Sequence, residues 1–182
     1  MLFGEAGSDI IDGGPGEDLI DGGFGNDQLF GMQDDDEIFA GGGDDFVRGG
    51  DGDDEIFGDD GNDIIYGEAG ADFVNAGAGD DFIDGGAGAN SLFGLSGDDR
   101  IRGGDAIDLI NGGAGSDRLL GFGGADRLIG GNGEDFLFGA NGNDRLDGGG
   151  DVDRLSGNAG ADIFENVTGD IINDLLANDR VV

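Results

Sequence analysis

The sequence has no cysteine, histidine, lysine or tryptophan, and it contains a single proline. Without cysteine the chain can form neither a disulfide nor a thiolate metal site. Without histidine or cysteine it also has no nucleophile–base pair of the usual kind and no preferred zinc ligand. The absence of lysine excludes a phosphate-binding P-loop. No apolar run approaches the roughly 18 residues of a membrane-spanning helix.

Basic residues are scarce as well. The 182 residues include 42 acidic and only 8 basic side chains, which gives a formal net charge of −34. Nucleic acid and anionic lipid are therefore not expected as partners, because both require Lys and Arg at the contact. Glycine, by contrast, accounts for 45 residues. An acidic, glycine-rich chain remains disordered unless another interaction offsets the repulsion between its charges.

The chain does contain a nine-residue repeat, which runs without insertion or deletion from Gly4 to Glu165 in eighteen copies. Position one is Gly in sixteen copies and position four in fifteen, position six is Asp in seventeen, and position eight is always apolar. A fixed short period predicts a solenoid. Glycine permits a tight turn, and the last three positions predict a short strand. Side chains alternate along a strand, so position eight faces inward while positions seven and nine face outward.

Copies such as Gly13–Asp21 (GGPGEDLID) and Gly130–Phe138 (GGNGEDFLF) follow the pattern GGxGxDxUx, in which U is a large apolar residue. This pattern resembles the hemolysin-type calcium-binding repeats of RTX proteins, over about nine-tenths of the chain. The resemblance implies an all-β fold, a right-handed parallel β-roll (solenoid) of about nine coils with two nonapeptide repeats per coil. It also implies calcium ions between stacked turns.

By that resemblance, the position-six residues of copies n and n+2 flank one calcium ion, and carbonyl oxygens of the turns complete its coordination. Calcium prefers oxygen ligands, whereas magnesium demands tighter octahedral geometry. Eighteen copies offer up to about 16 such sites, and that many dications would nearly cancel the charge of −34. The predicted metal ligands are Asp9, Asp18, Asp27, Asp36, Asp45, Asp54, Asp63, Asp72, Asp81, Asn90, Asp99, Asp108, Asp117, Asp126, Asp135, Asp144, Asp153 and Asp162.

One apolar side chain per copy makes a narrow core. Its burial is small beside the conformational entropy lost when so many residues become ordered. A metal ion that binds only the folded form adds its binding free energy to folding. We therefore expect the chain to be disordered without metal and folded with calcium.

Two neighbouring departures from the pattern mark Gly85–Asn111 as the segment expected to bind calcium most weakly. Asn90 offers a carbonyl oxygen without charge, so the calcium sites that it shares with Asp72 and Asp108 should bind the ion less tightly. Ala106 replaces the glycine of position four. If that position requires a positive φ, alanine is strained there.

The outward positions carry aromatic and arginine residues. Copies of equal parity are expected to stack, which gives one aromatic ladder of Phe39, Phe57 and Phe93 interrupted by Asn75, and another of Phe30 and Tyr66 interrupted by Arg48. Arginines concentrate in copies eleven to seventeen, five of them at position seven, namely Arg100, Arg118, Arg127, Arg145 and Arg154, with Arg102 at position nine. Cross-strand packing and relief of negative charge explain both features. Docking of a neighbouring domain, a glycan or a second chain is the alternative explanation.

The sequence predicts two parts, residues 1–165 as the calcium-binding β-roll domain and residues 166–182 as a C-terminal capping or secretion-type tail. Met1-Leu2-Phe3 fits positions seven to nine of a copy, so we expect the chain to begin within a repeat of a longer array. The tail is similar to the strand-rich tail of secreted family members, in which it would usually continue.

Together these features predict calcium binding coupled to folding, in a noncatalytic module of a secreted bacterial protein. The resemblance implies an extracellular location reached by type I secretion, in which the chain crosses unfolded and folds where calcium is abundant. The alternative is an extracellular adhesion or polysaccharide-binding module that uses the outer aromatic ladders or the arginine stripe.

Overall fold

Each nonapeptide contributes one strand, and the strand is longer than the sequence predicts. The computed structural model describes all 182 residues, with 21 strands and no helix. No helical segment capable of crossing a membrane is therefore found. Most strands begin at position seven of one copy and extend through position three of the next, as in Glu37–Gly42. Positions one to three pair between coils too, so only positions four to six remain in the turn.

Alternate strands form two parallel sheets, because successive copies lie on opposite sides of the solenoid. One sheet contains, in order, β1 (Leu2–Phe3), β3 (Leu19–Phe24), β5 (Glu37–Gly42), β7 (Glu55–Asp60), β9 (Phe73–Ala78), β11 (Ser91–Ser96), β13 (Leu109–Ala114), β15 (Arg127–Asn132), β17 (Arg145–Gly149), β19 (Ile163–Glu165) and β21 (Arg180–Val181). The other contains β2 (Ile10–Pro15), β4 (Gln28–Gln33), β6 (Phe46–Asp51), β8 (Ile64–Ala69), β10 (Phe82–Gly86), β12 (Arg100–Gly104), β14 (Arg118–Gly123), β16 (Phe136–Asn141), β18 (Arg154–Ala159) and β20 (Ile171–Ile172).

The strand register confirms two nonapeptides per coil. Ile20 pairs with Ile38, and Ile38 pairs with Ile56, so neighbouring strands are offset by two repeats. The eighteen copies form nine coils, and β1, β20 and β21 extend the solenoid to about ten turns. The predicted all-β parallel solenoid is therefore the observed fold.

The core consists of the position-eight side chains, which the two sheets direct toward each other. We call this narrow cluster the apolar file. All eighteen are buried, and only Ile11, near the open end, retains measurable exposure at 8%. Ala40 and Ala76, at position one, complete the core cluster, against which Leu2, Val167 and Ile172 pack. Position six also faces the interior, which brings a carboxylate next to the apolar file in nearly every copy.

The left-handed backbone conformation occurs at position two of every copy, a requirement that the sequence pattern did not reveal. Ten of these residues are Gly, and the other eight adopt positive φ at a steric cost, namely Glu5, Met32, Asp59, Glu68, Leu95, Phe122, Ala140 and Asn158. Every glycine at position four also has positive φ, and so do Asp34 and Asp151, which replace it there.

The strain expected at Ala106 is not found. Ala106 does not adopt positive φ, unlike the other residues of position four. The preceding strand, β12, ends at Gly104, before position three of its turn, whereas strands such as β14 extend through that position. The strands β10 and β17 end at the same point, yet Gly88 and Asp151 retain positive φ, so the shorter strand does not by itself explain the conformation of Ala106.

A second set of side chains connects the coils from position five. The Oδ1 atom of Asn26 accepts a hydrogen bond from the Asp44 N–H, and Asp44 Oδ1 accepts one from the Asn62 N–H at 2.9 Å. All eight Asp and Asn residues at position five bond to the next coil in this way, namely Asn26, Asp35, Asp44, Asp53, Asn62, Asp80, Asp98 and Asn143. These exposed bonds connect coils without involving position six.

The register confirms that Asn75 and Arg48 interrupt the position-nine rows, but the aromatic contacts continue past them, which the sequence did not predict. Rings at position seven fill the gaps, because positions seven and nine share the outer face and lie within reach of each other diagonally. On one sheet, ring centroids are 4.9 to 5.9 Å apart along Phe39, Phe57, Phe73 and Phe93. On the other sheet, they are 5.8 to 6.1 Å apart along Phe30, Phe46, Tyr66 and Phe82. All eight rings are half-buried against one another.

Some arginines contact an acidic or aromatic side chain, and the others form no ion pair. Arg48 pairs with Glu68, Arg145 with Glu165, and Arg102 with Asp84. Arg102 also lies over the ring of Phe82, and Arg118 lies over Phe136 at 4.8 Å from its centroid. The other three arginines of copies eleven to seventeen form no ion pair within 4 Å, namely Arg100, Arg127 and Arg154. Charge relief through direct pairing therefore accounts for only part of the arginine stripe.

The close stacking of coils predicts that substitution of the position-four glycine depends on whether a coil lies beneath it. Gly61 and Gly7 both have positive φ, but a Cβ at Gly61 would overlap the carbonyl oxygen of Gly43, whereas a Cβ at Gly7 would meet nothing within 4 Å. We expect Gly7→Ala to cost about 1–3 kcal/mol for the backbone strain alone. Gly61→Ala should cost roughly 1–3 kcal/mol more because of the overlap. Urea denaturation in saturating calcium measures both, and equal losses would contradict the predicted stacking effect.

Candidate metal sites between the coils

The position-six side chains connect each coil to the preceding one. Asp27 Oδ1 accepts the backbone N–H of Asp9 at 2.8 Å, and Asp45 Oδ1 accepts that of Asp27 at 2.7 Å. The same bond is present at all sixteen contacts between copies n and n+2, including those of Asn90. We call the space around each bonded pair the inter-coil gap. It is bounded by the position-six side chains and the position-one backbone.

The structure places sixteen of the eighteen predicted ligands in buried positions. From Asp27 to Asp162, every position-six residue is at most 3% exposed. Asp9 and Asp18 are only half-buried, because they lie at the open end of the solenoid. The second oxygen, Oδ2, is buried and has no hydrogen-bond donor in sixteen of the seventeen aspartates, Asp18 being the exception. An array of buried, unsatisfied carboxylate oxygens is costly, because native proteins pair nearly all buried polar atoms.

At ten position-one glycines, an added Cβ would meet both the Oδ2 atom of the position-six aspartate of the same copy and a carbonyl oxygen of the following coil. A Cβ added to Gly22 would lie 2.7 Å from Asp27 Oδ2 and 2.5 Å from the carbonyl oxygen of Ala40. The same two kinds of atom would surround a Cβ at Gly31, namely Asp36 Oδ2 and the carbonyl oxygen of Gly49. Two acceptor oxygens therefore converge at a point that glycine leaves free of side-chain atoms. Such a pair attracts a cation or a proton.

The pKa values reflect this environment. Fourteen aspartates have a raised pKa, and all fourteen occupy position six. Burial is the main cause in each, and the bond from the preceding coil's N–H lowers the value only in part. Burial raises the pKa of Asp54 to about 7 and that of Asp99 to about 8, with further contributions from neighbouring carboxylates.

The donor set fits calcium. No group of three or more acidic side chains converges to hold a metal ion unaided. An ion in the inter-coil gap would therefore require backbone carbonyl oxygens in addition to the carboxylates, and position-one glycine exposes such carbonyls. All of these donors are oxygen atoms, which suits a hard cation such as calcium. Zinc would lack nitrogen and sulfur ligands here.

Asn90 differs from the other position-six residues in the atom that it presents. Its Oδ1 accepts the N–H of Asp72 at 2.9 Å, so Nδ2 occupies the place of the unsatisfied carboxylate oxygen. A Cβ at Gly85 would lie 2.6 Å from this Nδ2 atom. The carbonyl oxygen that the sequence suggested as a ligand is thus already hydrogen-bonded, and an N–H donor faces the gap.

Two further aspartates, not predicted from the sequence, occupy equivalent positions. Asp170 Oδ1 accepts the Asp153 N–H at 3.1 Å, and Asp179 Oδ1 accepts the Asp162 N–H at 3.0 Å. The offset here is 17 residues instead of 18, so a strict nine-residue count does not find them. The recurrence of Asp-x-apolar in Asp170-Ile171-Ile172 and Asp179-Arg180-Val181 is the signal that could have done so.

Two parallel sheets of stacked nonapeptides, with a buried aspartate at each turn, define the class of the parallel β-roll. Comparison with known families agrees with this geometry. Residues 1–164 match, in ten overlapping segments, the family described as the RTX calcium-binding nonapeptide repeat (4 copies), and the chain belongs to this family. A search of curated proteins found no match to the chain. Family membership confirms the resemblance seen in the sequence and supports calcium binding by the repeats.

The Nδ2 atom that Asn90 presents to its inter-coil gap predicts that Asn90→Asp increases the affinity for calcium. The substitution should preserve the bond to the Asp72 N–H and replace Nδ2 by a charged oxygen. We expect the weakest calcium-binding phase to tighten about tenfold, since calcium affinity depends on the number of charged ligands. Isothermal titration measures this, with Asn62→Asp as the control that adds the same charge at an exposed position five. An unchanged titration of Asn90→Asp would show that this gap does not limit binding.

The raised pKa values predict that acid favours the metal-free fold. Unfolded aspartates ionise near the ordinary pKa of 3.8, whereas the pKa values of buried ones such as Asp54 and Asp99 rise to about 7 and about 8. Between these values the folded chain binds more protons, so its stability falls as the pH rises. We expect more sheet in chelator at about pH 5, above the isoelectric point of about 4.1, than at about pH 8. Circular dichroism measures this, and equal or greater sheet content at pH 8 would refute the prediction.

Proposed function

We propose that this chain is a calcium-dependent folding module, in which the position-six aspartates and turn carbonyls bind calcium between successive coils. The proposed ligands are the eighteen position-six residues named from the sequence, with up to about 16 ions along the two sides of the solenoid. The single observation that carries the proposal is the row of sixteen buried Oδ2 atoms without a hydrogen-bond donor.

The chain's own residues prepare each gap. The N–H of one position-six residue orients the carboxylate of the next coil through Oδ1, which leaves Oδ2 free. The position-one glycine keeps that oxygen and a neighbouring carbonyl free of side-chain atoms. The narrow apolar file and the stacked aromatic ladders hold the coils in register. Calcium, when bound, would supply the positive charge that balances these oxygens.

Folding and binding are coupled because a single coil does not contain a complete gap. The facing oxygens belong to different coils and meet only when both are stacked. Without cations, the raised pKa values of Asp54, Asp99 and Asp126 oppose the ionised, folded state at neutral pH. Each bound ion removes part of that penalty and adds its binding free energy to folding.

We further propose that the module is noncatalytic and acts outside the cell, after type I secretion. Its regularly spaced carboxylates serve the inter-coil gaps, and it has no histidine or cysteine to pair with a nucleophile. RTX repeats are typical of secreted proteins, which supports the location. A chain that folds only in calcium could cross a narrow export channel unfolded and fold where calcium is plentiful.

The proposal predicts a disordered chain in chelator and a β-sheet spectrum on addition of calcium. We expect circular dichroism to show this transition in the millimolar range or below. In size-exclusion chromatography, the expanded chain should elute earlier in chelator than the compact chain does in calcium. Equimolar magnesium and a matched rise in ionic strength from NaCl are the controls. Because the effect depends on oxygen ligation and not on screening, neither control should produce the full transition.

A chain that is already fully folded in chelator at neutral pH would contradict the coupling of folding to calcium. Equal folding by NaCl would instead show that charge screening alone is sufficient.

A further inference from the structure

The C-terminal segment 166–182 extends the two sheets with a changed spacing. β20 pairs with β18 so that Ile172 lies opposite Leu155, and β21 pairs with β19 so that Val181 lies opposite Phe164. Both offsets are 17 residues, one fewer than in the array. Asp170 and Asp179 therefore fall at position six in the two halves of one further coil, although the family match ends at residue 164.

Asp170 has the same atomic arrangement as an aspartate inside the array. Its Oδ1 accepts the Asp153 N–H, and its Oδ2 is buried without a donor. Asp153 is itself fully buried, and its own Oδ2 also lacks a donor. The pair thus repeats what is seen at Asp9 and Asp27 or at Asp126 and Asp144.

Asp179, on the opposite side, is arranged differently. Its Oδ1 accepts the Asp162 N–H, but its Oδ2 accepts the Leu176 N–H at 2.6 Å, so neither oxygen remains free. The carboxylate of Asp174 accepts the N–H groups of both Gly157 and Asn158 beside the same gap. Backbone N–H groups, three from the last repeat copy and one from Leu176, therefore satisfy the carboxylates of Asp174 and Asp179, while Asp162 Oδ2 remains without a donor.

We propose that Asp153 and Asp170 form one further calcium site, which joins segment 166–182 to the repeat array, whereas Asp179, whose two oxygens both accept N–H groups, is not a ligand. The inference rests on the proposed function, because it assumes that the regular gaps bind calcium. It goes beyond that function by assigning a ligand outside the repeats and by making the docking of the C-terminal segment depend on calcium.

The test compares Asp170→Asn with Asp179→Asn in the full chain. Either asparagine preserves the Oδ1 bond, and each removes one charge. The exposed Asp12, which forms no side-chain hydrogen bond, gives the charge control Asp12→Asn. Native mass spectrometry at saturating calcium counts bound ions. We expect Asp170→Asn to bind one ion fewer than the wild type, and the Asp179 and Asp12 variants to bind the same number as the wild type.

Hydrogen exchange of residues 166–182 provides a second measurement on the wild-type chain. These amides should gain protection with calcium, and Asp170→Asn should lose most of that gain while peptides of copies three to fifteen retain theirs. An unchanged ion count in Asp170→Asn, or a loss of one ion in Asp179→Asn as well, would overturn the assignment while the proposed function stands. A wild-type chain that binds no calcium would instead refute the proposed function.

If the Asp170→Asn variant fails to fold, hydrogen exchange of the wild-type chain still tests the proposal. Absence of calcium-dependent protection in residues 166–182, with protection present in the repeats, would overturn the proposal.

Discussion

The structure depends on buried carboxylate oxygens that lie beside carbonyl oxygens of the next coil in the inter-coil gaps. Sixteen Oδ2 atoms are buried without a hydrogen-bond donor, and burial raises the pKa of most of the aspartates concerned. Glycine at position one suits the same contact, since a Cβ at Gly22 would meet both oxygens, although two copies accommodate Ala40 and Ala76 there. Two acceptors without a donor repel each other, so the stacked state requires a cation or a proton at that place. Stacking of the coils is therefore thermodynamically coupled to ion binding.

Other contacts determine how the coils align but do not neutralise their charge. Position-five side chains such as Asn62 bond to the following coil, and position-six side chains such as Asp63 bond to the preceding one. The two sets run in opposite directions and hold each turn on both sides. Aromatic ladders reinforce the outer faces of copies three to ten, and Arg118 over Phe136 reinforces the later ones. A solenoid with nearest-neighbour contacts of this kind confines a weak gap, such as that of Asn90, to its own neighbourhood.

A repeated gap explains why the chain carries so much negative charge on so small a core. The core contains little more than one position-eight residue per copy. No group of acidic side chains converges to bind a metal ion on its own. Each binding position is instead shared between two coils and is completed by backbone. Membership of the RTX calcium-binding repeat family agrees with this arrangement. The C-terminal segment continues the principle with a different spacing, and its carboxylates differ in whether backbone donors satisfy them.

The sequence by itself determined the nine-residue period, the solenoid, the inward position-eight side chains and the position-six aspartates, because each is a pattern of residue type at fixed spacing, while the parallel arrangement came from the resemblance to the repeat family. Only the tertiary structure decided which atoms meet. It showed that Asp27 uses Oδ1 for Asp9 and leaves Oδ2 free, that position two is left-handed in every copy, and that Phe73 joins a ladder across Asn75. It also placed Asp170 in the position-six row. These features arise between residues about 18 apart, where backbone direction and side-chain rotamer, not residue type, select the contact.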